Sequence, residues 1–211
     1  MGTPVRRLAL APLILASASP RRLSLLDQIG IRPAAVENPC VDETQATGES
    51  PVELARRLAA AKALAIAPGR PGCFILAADT VVAVGRRVLP KAEVEADARR
   101  CLMLLSGRRH RVVGGIALVS PDGRLRERMV ETKVAFKRLE MDEIDGYLAS
   151  GEWHGKAGGY AIQGRAAAFI RWISGSYSNV VGLALFETSQ LLIGAGAIDR
   201  QPERVPGDAG A

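Results

Sequence analysis

The sequence predicts an α/β fold, on three observations. Short apolar runs bounded by turn residues recur at Leu8 to Ala16, Cys73 to Ala78 and Val112 to Val119, the pattern of buried strands. Between them lie stretches with helical start and stop signals, of which Ser50-Pro51-Val52-Glu53, a capping box with proline at the first helical position, is the strongest. At 211 residues the chain can bury one sizeable core, as one domain or two small lobes.

The elements follow in order. Leu8 to Ala16 reads as a strand, and a helix follows at once, with Ser19 as its cap, Pro20 at its first position, Leu23, Leu26 and Ile29 as its apolar stripe and Gly30 as its stop. After Ser50 the second helix places Leu54, Leu58, Ala61 and Ala65 on one face and ends at Pro68-Gly69. Cys73 to Ala78 is a strand ending in Asp79-Thr80, and Val81 to Val84, Gly85-Arg86-Arg87 and Val88-Leu89 suggest a short hairpin beyond it. Acidic residues from Glu93 to Asp97 open a third helix, with Leu102 and Leu105 on its apolar side and Ser106-Gly107 at its end. Val112 to Val119 is again strand. Beyond the Pro121-Asp122-Gly123 turn, the alternation of Val130, Thr132, Val134 and Phe136 with polar neighbours predicts a half-exposed antiparallel partner. Asp142 to Ser150 reads as a short helix, Gly151 to Gly164 as a glycine-rich loop able to approach a ligand, Phe169 to Ile173 as a strand and Leu183 to Leu192 as a last helix. One domain is expected over residues 1–200, with a frayed tail over 201–211.

Composition narrows the function. Hydrophobic residues at 48% and charged residues at 24% exclude a disordered or fibrous chain. An aromatic fraction of 4% argues against a stacking platform for single-stranded nucleic acid. Part of the net charge of +6 lies at Arg6-Arg7, Arg21-Arg22, Arg86-Arg87 and Arg108-Arg109-His110-Arg111, either solvated surface or phosphate sites. Cys40, Cys73 and Cys101 are odd in number and lack C-x-x-C spacing, which fits a reducing compartment and three small buried residues. Arg6-Arg7, the apolar run and Ala16-Ser17-Ala18 imitate a secretory signal, but cleavage there would remove a strand and part of a motif. No other segment approaches the roughly 20 apolar residues of a membrane span.

Three clues carry chemistry. Arg21 and Arg22 sit in the first turn of a helix, where the dipole is already positive, so either they point into water or an anion resolves the repulsion. Asp79, at the end of a buried strand, is either a cap or a catalyst, and Glu43 could supply a second carboxylate. Two hard oxygen donors facing a polyphosphate suit Mg²⁺ or Mn²⁺, whereas His110 and His154 offer no zinc-type spacing. Lys62 lies near its helix's apolar face, and Lys91 and Lys156 stand in loops, each a ligand or a snorkelling surface cation.

In order along the chain stand Leu15-Ala16-Ser17-Ala18-Ser19-Pro20-Arg21-Arg22, Val41-Asp42-Glu43, Lys62, Ala78-Asp79-Thr80-Val81-Val82, Lys91, Lys156-Ala157-Gly158-Gly159-Tyr160-Ala161-Ile162-Gln163-Gly164 and Gly175-Ser176-Tyr177-Ser178-Asn179-Val180-Val181-Gly182-Leu183. Together they resemble the Maf family of nucleotide pyrophosphatases, from about Leu13 to Leu192. The resemblance implies a twisted mixed sheet flanked by helices, in two lobes around a central cleft. It implies a cytoplasmic house-cleaning enzyme that cuts a nucleoside triphosphate to the monophosphate and pyrophosphate with Mg²⁺ or Mn²⁺. Ser17, Arg21, Lys62 and Lys91 would hold the triphosphate with Arg22 and Lys156 beside them, Glu43 and Asp79 would serve the metal and the attacking water, with Lys91 in the catalytic set, and Gln163 would help recognise the base. The loop containing Lys156 and Gln163 looks like the branch acting on dTTP and UTP; the 7-methyl-GTP branch is second. Ala92 and Ala184 stand where the family commonly has proline, which bears on loop rigidity. The rival reading is a non-enzymatic septation regulator or nucleic-acid binder using Arg108 to Arg111. A two-fold homodimer is the general expectation for its assembly.

Overall fold

The computed structural model describes residues 11–199. The signal-like Arg6-Arg7, the start of the first apolar run and the tail over 201–211 lie outside the described residues. Strand β1 (Leu13–Ala16) leads into helix α1 (Pro20–Gln28), and β2 (Ala35–Glu37) returns beside β1. Helix α2 (Pro51–Ile66) begins at the expected capping box: Ser50 accepts from the Glu53 amide, and the Glu53 carboxylate accepts from the Ser50 amide. Strand β3 (Phe74–Val84) and β4 (Arg87–Leu89) form the hairpin, and a two-residue β5 (Lys91–Ala92) precedes α3 (Glu95–Leu105). The long antiparallel pair β6 (Arg109–Val119) and β7 (Leu125–Phe136) follows, then α4 (Met141–Leu148), the two-residue β8 (Lys156–Ala157), β9 (Ile170–Ser174), α5 (Tyr177–Val181) and α6 (Leu185–Gly194).

The main sheet runs β2-β1-β3-β6-β7-β9, with β4 on the far end of β3 and a separate β5-β8 ribbon. β2, β1 and β3 are parallel and the remaining pairs antiparallel, so the sheet is mixed as expected. Side-chain alternation sorts the residues of β1 and β3 to two faces. Leu13, Leu15, Leu76 and Ala78 pack with Leu25 and Leu26 of α1 and Leu191 and Leu192 of α6. Ile14, Ala16, Ile75 and Ala77 pack with Ala59 and Ala63 of α2. At the other end of the sheet Val82, Val112, Val134 and Phe136 join α3, α4 and the 156–169 segment in a further core.

Several expectations need correction. Asp79 stands in the middle of β3, not at its tip, because Val81 to Ala83 keep pairing with β6 through the backbone, to which one polar side chain is no obstacle. Ser19 occupies the cap position of α1 with extended backbone, but its side chain makes no capping hydrogen bond. The last strand starts at Ile170, after a 3₁₀ turn over Arg165–Phe169. The last helix starts at Leu185 because Tyr177–Val181 forms a separate short helix. Strand β7 begins at Leu125, well before the alternating stretch, since its first half pairs with β6 just as fully. Of the cysteines only Cys101 is buried; Cys73 is half-buried and Cys40 exposed, and none forms a disulfide. Among the described residues no helix is long and apolar enough to cross a membrane.

Candidate active site

Strand parity places the first functional pair. Asp79 follows Ile75 and Ala77 on the face of β3 covered by α2, where Lys62 lies one turn beyond Leu58. Both side chains are buried, and Lys62 Nζ donates to Asp79 Oδ1 at 2.5 Å and contacts Glu43 Oε1 at 2.6 Å. Lys91 donates to the other Glu43 oxygen, Oε2. Lys62 therefore lies within a cation's reach of two carboxylates contributed by segments far apart in sequence. Burial alone would raise the Glu43 pKa, but hydrogen bonds and charge from Lys62 and Lys91 outweigh it and hold the carboxyl down at about 2.

Thr80, one residue on, points to the opposite face, where α1 begins. The Arg22 guanidinium is buried and donates from Nε to Gly182 O at 2.9 Å, from Nη1 to Ser17 Oγ at 3.0 Å and from Nη2 to Thr80 Oγ1 at 3.3 Å. Ser17 Oγ also accepts from the Ser19 amide at 3.2 Å. A hydroxyl has two acceptor positions and one donor. With both acceptor positions of Ser17 filled, its proton remains to be donated to an anion. Asn179, also buried, donates to Val112 O, Val130 O and Thr132 Oγ1, which seats the α5 turn and Gly182 against the sheet.

Arg21 differs from its neighbour. It is half-buried, makes no hydrogen bond or ion pair among the described residues, and burial lowers its pKa. Lys156 is lowered too, by burial first and then by the charge of Arg21. Its Nζ donates to His154 O at 3.0 Å. The two cations crowd one another with no carboxylate bonded to either among the described residues, so an anion placed between them would be drawn in strongly. The β5-β8 ribbon puts Lys91 and Lys156 on adjacent strands, one residue out of register, Lys91 opposite Ala157 and Lys156 opposite Ala92.

All of these groups line one cleft of about 350 Å³. Ser17, Arg21, Arg22, Glu43, Lys62, Asp79, Lys91, Lys156 and Gln163, every residue expected from the sequence to serve nucleotide or metal, border it. Five cations, Arg21, Arg22, Lys62, Lys91 and Lys156, face three carboxylates, Glu43, Asp79 and Glu93. The excess of positive charge in a concave site fits a polyanion. Asn38, Pro39 and Glu93 also border the cleft and were not anticipated. Asn38-Pro39 carried a turn signal, whereas nothing in the sequence distinguishes Glu93 from an ordinary helix-opening acid.

The Arg108 to Arg111 cluster lies elsewhere. Arg109 stacks over Trp172 at 5.5 Å, Arg111 donates to Glu131 Oε2 and Gly85 O, and His110 is buried. Two of its arginines thus have partners within the fold.

A family model described as Maf-like protein matches residues 12–195. A dTTP/UTP pyrophosphatase of Paramagnetospirillum magneticum is 67% identical over 187 residues, covering 89% of this chain and 98% of that one. A dTTP/UTP pyrophosphatase of Rhodospirillum rubrum is 64% identical over 185 residues, covering 88% of each. Among solved structures, a HAM1 protein from Coxiella burnetii has a TM-score of 0.50 at 18% identity, over 88% of this chain and 100% of that one, a likeness of fold. The match from Pro12 to Ala195 takes in the whole of the cleft, and the chain belongs to the Maf-like protein family.

Proposed function

We propose that the chain is a nucleoside triphosphate pyrophosphatase acting on dTTP and UTP, cutting between the α and β phosphates. The observation that carries this reading is one cleft in which Arg21, without an anionic partner among the described residues, stands with a Lys62-bridged pair of carboxylates. The names of the relatives at 67% and 64% identity support the reaction and the choice of base.

In this reading Arg21, Lys156 and the Ser17 hydroxyl bind the phosphate chain, and Lys62 and Lys91 take up charge as pyrophosphate leaves. Water attacks the α-phosphorus, the bond to the bridging oxygen breaks, and its electron pair departs on pyrophosphate. Asp79 accepts the water's proton: Oδ1 is held by Lys62, while Oδ2 makes no hydrogen bond among the described residues. Glu43, held ionised, is the other carboxylate able to take that proton. Arg22 spends three donors inside the protein, so its role is to aim Ser17 and Thr80 rather than to grip substrate. Gln163 offers both a donor and an acceptor, which match the imide edge of thymine or uracil.

The donor set also fits a hard divalent ion. Lys62 draws the Asp79 and Glu43 oxygens to one point, and a small ion needs few protein ligands when phosphates and water complete its shell, although no group of three or more acidic, histidine or cysteine ligands occurs among the described residues. Bound there, Mg²⁺ or Mn²⁺ would neutralise phosphate charge and acidify water. The nucleotide substrate and the free thiols agree with a cytoplasmic enzyme.

Ordinary and modified nucleoside triphosphates, assayed with Mg²⁺ and with Mn²⁺ for pyrophosphate release, test the proposal. Turnover greatest with dTTP and UTP, and lost in Asp79→Asn with an unchanged circular dichroism spectrum, is expected. A preference for 7-methyl-GTP would overturn the choice of base, and absence of pyrophosphate with every substrate would overturn the reaction.

A further inference from the structure

Not all of the cleft is cationic. Val82, Ala157, Tyr160 and Ala161 also line it, as does Gln163. The loop that brings Lys156 and Gln163 there has the two-residue β8 as its regular structure. Backbone bonds from Gly155 to Ala92 and from Gly158 to Pro90 hold its first half, and a pair of tyrosines holds the stretch that leads to Gln163. The Tyr147 hydroxyl accepts from the Ala161 amide at 3.1 Å, and the Tyr160 hydroxyl bonds His110 Nε2 at 2.8 Å.

His110 is buried on β6, edge-on to Phe136 with ring centroids 5.2 Å apart and to Tyr160 at 5.4 Å. Its other nitrogen, Nδ1, has no partner among the described residues. A buried polar pair of this kind adds little net stability, because two apolar side chains of similar shape would fill the same space. What it adds is position, since a hydrogen bond in an apolar surrounding fixes one arrangement. The anchored residue stands three positions before Gln163 and itself borders the cleft.

We propose that His110 is a positioning residue that acts through Tyr160: their hydrogen bond fixes the apolar wall and the Gln163 amide, and so sets affinity for the nucleobase and not for the phosphate chain. Neither residue belongs to the triphosphate machinery. The inference rests on the nucleotide reading given above.

The test compares wild type with Tyr160→Phe, His110→Leu, His110→Gln and the double variant His110→Leu/Tyr160→Phe. Removing the bond should raise KM for dTTP and UTP by about three- to tenfold, the worth of one hydrogen bond. kcat should stay within about twofold, and inhibition by inorganic triphosphate, which has no base, should be unchanged. His110→Gln can place an amide near the Nε2 position and should recover most of the KM. The double variant leaves neither polar group stranded, so it keeps the test open if the single ones fail to fold. Wild-type KM in the folded double variant, or weakening toward triphosphate as large as that toward dTTP, would overturn the proposal. Absence of turnover in the wild type would instead overturn the nucleotide reading itself.

Discussion

Lys62 is the residue on which the cleft's electrostatics turn. Its ammonium compensates Asp79, which is buried with it, and shares Glu43 with Lys91. Removing one member of a buried ion pair strands the other, at a cost of about 3 to 5 kcal/mol, whereas removing both leaves no stranded charge. Lys62→Met should therefore lower stability to urea by about that much and remove activity. The double variant Lys62→Met/Asp79→Asn should regain most of the stability and none of the turnover. A double variant as unstable as the single one would show that Lys62 acts mainly by packing. The neighbouring arginines make a second contrast. Lysine cannot reproduce the three-way fork of Arg22 onto Gly182, Ser17 and Thr80. Arg22→Lys should cut kcat/KM by about tenfold or more even though charge is kept, through misplacement of the Ser17 hydroxyl. Sequence marked Arg21 and Arg22 alike as first-turn cations. Which one turns inward depends on where the β1-α1 turn aims the helix and on Gly182, 160 residues away, and neither is visible in local pattern.

At the scale of elements, the contact between α2 and β6 sets the distance over which Lys62 reaches Asp79. A Cβ built on Gly115 would stand 2.3 Å from Ala55 O, a backbone atom that cannot turn aside. Gly115→Ala should therefore push α2 off the sheet, lower stability by about 1 to 3 kcal/mol and reduce turnover along with it. Urea melts and steady-state rates on the same sample would check this, and an unchanged melt would mean that the helix can shift freely. The glycines Gly114 and Gly115 looked like ordinary residues of a continuous apolar run, because close approach of a helix is a tertiary fact. Long elements with both pattern and punctuation were legible, as α2 was behind its Ser50 box and β3 over its apolar first half, though not in its continuation past Asp79. The two-residue strands β5 and β8 were not, since their few backbone bonds exist only when two distant loops meet. The consequence for the site is direct: Lys91 and Lys156 could each be named from the sequence, but not that they stand on the two strands of one ribbon.

For the whole molecule, the core that α3 and α4 form with Val112, Val134 and Phe136 has beside it a group that reports on global unfolding. Burial lowers the His110 pKa to about 4 from an ordinary value of 6.5. Between those values the unfolded chain binds a proton that the folded chain refuses, so the folded state loses stability as pH falls. His110's contribution is complete above pH 6.5, declines through the window down to about pH 4 and is constant below it, with a total of about 3 kcal/mol. Glu43, held at about 2 against an ordinary 4.5, adds its own loss from about pH 4.5 down to about pH 2, where the unfolded chain takes up a proton that the folded carboxylate refuses. The two effects can be separated by His110→Gln, which keeps a hydrogen-bonding side chain and cannot titrate. Urea melts of wild type and His110→Gln at pH 7 and at pH 4.5 should show wild type losing more stability than the variant between those two conditions. Parallel losses would mean that His110 is protonated as easily inside the fold as outside it, and the aromatic core around it would then have to admit water.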